Sequence, residues 1–147
     1  IEESPQAVLD AKRNARLNNF TGKIEVIRGR VESFLWTCRR KFDIVIADPP
    51  ALIPRREVYE RGLKSYRNLY RSAIKSTKSE GILIASSCSH FLSIGKLMDL
   101  LKAGAKTEKR GLKILSIKRA SKDHPSRPQD THLRYLKVII AQILQNS

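Results

Sequence analysis

Three places in this sequence carry side chains that could do chemistry together. Ser86-Ser87-Cys88-Ser89-His90 follows the apolar run Ile82 to Ala85. A cysteine set among hydroxyls, where a buried strand ends and a helix begins, can be held as a thiolate nucleophile; a small residue packed at a strand end is the plainer alternative, and residues alone favour it. Asp48-Pro49-Pro50 follows a second apolar run, Ile44-Val45-Ile46-Ala47. A carboxylate there can hydrogen-bond a substrate amine or border a bound cofactor, while paired prolines stiffen the next backbone and leave its carbonyls as acceptors. The same residues also make a rigid turn. Glu2 stands just before Ser4-Pro5, a helix N-cap and first-turn proline. In nucleotide-binding folds an acid at that point accepts ribose hydroxyls.

The elements that must position these groups are legible as alternating strands and helices. A helix from Pro5 has Ala7, Val8, Ala11, Ala15 and Leu17 on one stripe and ends at Asn18-Asn19 and Gly22. Strands are predicted at Ile24 to Ile27, Phe42 to Ala47, Ile82 to Ser86, Leu112 to Ile117 and Tyr135 to Ile143. Helices are predicted at Val31 to Cys38, Lys64 to Lys75 and Phe91 to Leu101. The Ile/Val-rich run Phe42 to Ala47 reads as a strand buried on both faces. Alternation implies a mostly parallel sheet with helices on both faces, and the two closing strands suggest an antiparallel pair at one edge. In such a sheet ligands bind beyond the carboxyl ends of the strands, which places Asp48 and Cys88 near one edge.

Composition narrows the partners. Lysine and arginine total 29 against 14 acidic residues, a formal net charge of +15 over 147 residues. Such an excess favours a polyanion, because each neutralised phosphate releases counterions. The hydrophobic fraction of 41% supports a packed core and argues against wholesale disorder. Two cysteines, Cys38 and Cys88, make neither a CxxC pair nor a disulfide framework, which points to a reducing, cytoplasmic setting. No apolar run approaches the roughly 20 residues of a membrane helix. The opening residues are not a signal peptide. Asp123-His124-Pro125, His90 and His132 read as structural loop residues, and no histidine–cysteine cluster has metal spacing. No glycine-rich phosphate loop is present.

Taken in order, these segments resemble one family. Ile1-Glu2-Glu3-Ser4-Pro5 with Ala11, Asn14 and Asn18 looks like the second motif of class I S-adenosylmethionine-dependent methyltransferases; Phe42-Asp43 through Ala51 looks like the fourth; Ser86-Ser87-Cys88-Ser89 looks like the sixth. Ala120 to Pro125 with Arg134-Tyr135-Leu136-Lys137 resembles the C-terminal part of the ribosomal RNA large-subunit methyltransferase I family, which makes 5-methylcytosine in large-subunit ribosomal RNA.

The resemblance implies a Rossmann-like class I methyltransferase domain over residues 1–147, a single partial domain whose first strand, glycine-rich first motif and N-terminal RNA-binding domain are expected before residue 1. It implies S-adenosylmethionine as cofactor, with Glu2, Arg30, Val31 and Asp48 around it. Pro49 and Pro50 would border the target base, and Cys88 would attack carbon 6 of cytosine with Asp48 assisting. RNA is the implied partner, without metal or membrane. Two departures stand out. Arg30 occupies the place where the third motif usually offers an acid, and Ala51-Leu52 follows Asp48-Pro49-Pro50 where lysine and phenylalanine are frequent. An amino-group methyltransferase on adenine or guanine, and an RNA-binding module without catalysis, are the alternatives.

Overall fold

The computed structural model describes residues 1–120 and 135–145. The chain divides into two compact units, Ile1–Arg39 and Arg40–Ser147.

In the first unit, helix α1 (Pro5–Leu17) begins where Ser4 Oγ accepts from the Ala7 amide at 3.4 Å. It ends at Asn18, and Asn19 follows with a left-handed φ of 57°. Helix α2 covers Val31–Thr37. The predicted strand Ile24 to Ile27 does not form. In its place a single parallel bridge joins Glu2 to Arg28, with Glu2 N–H donating to the Ile27 carbonyl and Gly29 N–H to the Glu2 carbonyl, both at 3.0 Å. The two backbone segments meet at one residue pair, too few for a ladder.

The second unit carries a four-stranded sheet. Strand β1 is Phe42–Ala47, β2 Thr77–Ser87, β3 Arg110–Arg119 and β4 Lys137–Gln145. Their spatial order is β1-β2-β4-β3, with β1 and β2 parallel and both pairings of β4 antiparallel. The α/β class and the closing antiparallel pair at one edge, β4 with β3, are as the sequence implies; within that pair β3 is outermost and β4 lies inside the sheet, and among the described residues one pairing of three is parallel. The pattern of side chains explains this. Strand β4 is apolar on both sides, with Ile139, Ala141 and Ile143 buried and Val138 and Ile140 half-buried. Strand β3 interleaves Lys113, Ser116 and Lys118 with its apolar residues and takes the edge.

Helices α3 (Tyr59–Ser76) and α4 (Ile94–Thr107) pack on the sheet and on each other. They cover the face formed by Leu83, Ala85, Ile139, Ala141 and Ile143, all buried. On β1 the opposite face stays open. Ile44 and Ile46 are 60% and 68% exposed, which corrects the reading of β1 as buried on both faces. The β1-α3-β2 crossover puts α3 on one side, and Gly104 of α4 seats against the Arg71 backbone of α3, so α4 joins that side.

Helix α3 starts five residues earlier than its periodicity suggests. Gly62 hides the start, because glycine weakens a helix interior. Close packing requires it there: a Cβ at Gly62 would fall within 2.5 Å of the Leu52 carbonyl oxygen and still nearer Ile53 Cγ1. Gly62→Ala is therefore expected to destabilise the chain by about 1–3 kcal/mol through overpacking, read as a shifted urea midpoint at unchanged slope.

Candidate active site

The ends of β1 and β2 build the site. Register pairs Ala47 with Ala85, so Asp48 and Ser86 emerge side by side. Ser86 Oγ donates to Asp48 Oδ1. Cys88, two residues on and half-buried, sets its Sγ 3.9 Å from the Pro49 carbonyl oxygen. The thiol and the carboxylate thus stand at one end of two parallel strands. Asp48 and Pro50 are exposed and Pro49 is half-buried, so the end is open to a ligand.

Beneath them lies a buried hydroxyl network. Tyr66 OH, on α3, bonds both Ser87 Oγ at 2.8 Å and Ser89 Oγ at 2.7 Å. Ser89 Oγ also accepts from the Ile53 amide at 3.1 Å, fastening the segment after Pro50. Tyr70 OH donates to the Ser86 carbonyl at 2.6 Å. Burial pushes the Tyr70 hydroxyl far above its ordinary range, with the nearby Tyr66, Asp48 and Cys88 adding to the shift, so it stays a neutral donor. Both tyrosines are fully buried and stack at 5.6 Å. Ser86, Ser87 and Ser89 are each held by at least one of these bonds, which fastens the backbone on both sides of Cys88.

Lys137, the first residue of β4, faces Ser87 across the ladder and donates from Nζ to the Ser89 carbonyl at 2.6 Å. It is only 7% exposed. Burial pulls its ammonium below the ordinary value, and Cys88 partly restores it. A buried lysine bonded to the carbonyl of the residue after a cysteine is the feature composition and periodicity miss, since lysine in a strand ordinarily signals a solvated face. On the other side of Cys88, exposed His90 meets Phe91 edge-on at 5.4 Å, and the Arg56 guanidinium lies 5.9 Å from the Phe91 ring.

The remaining predicted residues belong to the first unit. Glu2 Oε1 accepts from the Ser4 amide at 2.7 Å, which orients the carboxylate ahead of α1. Arg30 is the extended residue before α2, its Nε 3.7 Å from Glu32 Oε2, and Val31 opens that helix half-buried. The Glu2–Arg28 bridge brings Glu2 close to the segment leading into Arg30 and Val31. Asp123, His124, Pro125, His132 and Arg134 lie outside the described residues. Among the described residues no group of three or more His, Cys, Asp or Glu side chains could hold a metal ion, and no helix is long and apolar enough to cross a membrane.

No family model matches the chain. Solved structures superpose along most of its length: TrmN from Thermus thermophilus over 97% of this chain and 35% of that one (TM-score 0.63, 14% identical), and NSun6 from Pyrococcus horikoshii, solved with SFG, over 95% and 39% (TM-score 0.61, 17% identical). The SAH complex of SMU.776 matches 78% of this chain and 30% of that one (TM-score 0.63, 23% identical). The chain has the Rossmann-like methyltransferase fold. Its sequence is similar to ribosomal RNA large subunit methyltransferase I of Yersinia pseudotuberculosis, 28% identical over an alignment 147 positions long that covers 97% of this chain and 37% of that protein. A Methanocaldococcus jannaschii protein named as a ribosomal RNA large subunit methyltransferase is 30% identical over an alignment 143 positions long that covers 95% of this chain and 36% of that protein. The chain thus spans little more than a third of the curated relatives it matches. In open α/β sheets ligands bind beyond the carboxyl ends of the parallel strands, and Asp48 and Cys88 stand at that end.

Proposed function

We propose that this chain supplies the catalytic site of an S-adenosylmethionine-dependent methyltransferase acting in the cytoplasm on large-subunit ribosomal RNA, at carbon 5 of cytosine, through a covalent adduct on Cys88. The observation that carries this reading is the shared placement of Cys88 and Asp48 at one strand end, with Asp48 tied to Ser86 and the thiol against the Pro49 carbonyl.

Carbon 5 of cytosine is not a nucleophile on its own. Addition of the Cys88 sulfur to carbon 6 makes it one and divides a hard step into easier ones. Asp48, hydrogen-bonded to the base edge, stabilises the protonated form of the base, which takes up the electron pair that sulfur addition pushes into the ring. When bound, S-adenosylmethionine supplies the methyl group to carbon 5. A base then takes the proton from carbon 5, the carbon–sulfur bond breaks, and Cys88 is regenerated. Pro49 and Pro50 border the base, which must leave its stack to arrive. Glu2 fits the cofactor, since one carboxylate oxygen is held by Ser4 and its other oxygen can accept a ribose hydroxyl. Val31 would flank the adenine. Arg30, paired with Glu32, brings no carboxylate to the adenine amine, a departure from the usual recognition.

Nucleoside mass spectrometry of ribosomal RNA tests the proposal. Cells lacking the gene should lose one 5-methylcytosine from large-subunit RNA, and the wild-type gene should restore it. Loss of a methylated adenine or guanine instead would favour the amino-group chemistry, with Asp48-Pro49-Pro50 holding the amine. No change in any nucleoside would favour a binding module.

A further inference from the structure

The exposed face of α3 raises a question that the site itself does not answer: what a helix with so many cations meets. Arg61, Lys64, Asn68, Arg71 and Lys75 recur at alternating steps of three and four, which lays them in one straight stripe, and all five are exposed. Arg67 stands exposed beside it. From Arg61 to Lys75 the stripe runs ~21 Å at 1.5 Å per residue. Glu60 is the one carboxylate on the helix, and Glu108 takes up Arg71 at 2.5 Å.

The stripe has a direction. Strand β2 begins directly after α3, so the helix ends at the far side of the sheet and begins at the end where Asp48 and Cys88 lie. Its first turns are fastened to that end by Gly62 against Leu52 and Ile53, and by Tyr66 on Ser87 and Ser89. Exposed Arg55 and Arg56 precede it, and Arg56 with Phe91 forms a cation–ring pair beside His90, two residues from Cys88. A stacking surface at the site mouth therefore continues into a row of positive charges. That combination suits a single strand, whose bases can stack while its phosphates follow the cations.

We propose that α3 is the track for the single-stranded RNA flanking the target base, with Arg56 and Phe91 stacking a neighbouring base and Arg61, Lys64 and Arg67 taking successive phosphates. This rests on the RNA reading of the site.

The test is binding of a fluorescent single-stranded RNA oligonucleotide to the full chain in its Cys88→Ala form without cofactor, so that no methyl transfer is needed. Replacing Arg61, Lys64 and Arg67 together by glutamine should weaken binding on the order of 10–100-fold near physiological salt. It should also lower the slope of log affinity against log salt by about 2, at ~0.7 per phosphate contact. The control is Lys102→Gln, Lys106→Gln and Lys113→Gln, three exposed cations on α4 and β3 that should cost little. Circular dichroism of both variants checks the fold. Equal losses in the two variants, no loss in the first, or no RNA binding by the parent chain would each overturn the track. Binding along α3 by a protein whose gene deletion changes no nucleoside would sink the catalytic reading and leave the track standing.

Discussion

Cys88→Ala is expected to abolish methyl transfer to RNA, by ~10⁴-fold or more, the scale on which losing a covalent nucleophile acts in other enzymes. Folding should hardly change. The side chain is small and half-buried, and its one hydrogen-bond contact among the described residues is the 3.9 Å approach to the Pro49 carbonyl. The bonds that fix this segment run through Ser86, Ser87 and Ser89. RNA affinity should also survive, because the proposed cations lie on α3. Rate and binding therefore separate, as they do when an interaction exists only along the reaction path. A complementary experiment traps the adduct. RNA bearing 5-fluorocytosine offers fluorine where the carbon 5 proton must leave, so elimination stalls and the protein should migrate with the RNA on a denaturing gel. Retained transfer in Cys88→Ala, with no trapped species, would remove the covalent mechanism and return Cys88 to a packing role.

The sequence shows the frame of this site more fully than its interior. Ile44-Val45-Ile46-Ala47 and Ile82 to Ala85 declare themselves as strands by apolar content, and each is followed by a chemically distinctive group, so Asp48 and Cys88 can be set at one sheet end without coordinates. The closing antiparallel pair at one edge was also legible, but the inner place of β4 was not, although Val138 to Leu144 is apolar on both faces except at Gln142. The strand at Ile24 to Ile27 was not, since a short apolar run says nothing about whether a partner segment lies alongside for more than one residue. The hydroxyl network was equally hidden. Tyr66 shows only as one more apolar position on α3, and its bonds to Ser87 and Ser89 span 21 and 23 residues, a separation no local pattern encodes. Burial of Lys137 is the same kind of fact: a cation in a strand is read by type, whereas its meaning comes from the tertiary environment.

That burial leads to the second large effect. Lys137 holds the Ser89 carbonyl at 2.6 Å and is 7% exposed, and among the described residues no carboxylate pairs with it. A buried ammonium is costly without an anion nearby. The thiolate of Cys88, one residue before Ser89, is the anion that adds to carbon 6 and is released again on elimination, and each charge then favours the other. Lys137→Met, which keeps the length and removes the charge, is expected to slow methyl transfer on the order of 100-fold. It should also slow alkylation of Cys88 by iodoacetamide, and Lys137→Arg should recover part of both. A purely structural lysine would leave the alkylation rate unmoved in the folded variant. Stability against pH gives an independent sign. Burial lowers the folded Lys137 below its ordinary 10.5, so between that lowered value and 10.5 the unfolded chain holds more protons and the native state gains stability as pH rises. Lys137→Met should lose this alkaline gain, read as a flatter dependence of the urea midpoint on pH. A variant with wild-type alkylation and an unchanged alkaline slope would show that Lys137 neither supports the thiolate nor titrates in the fold.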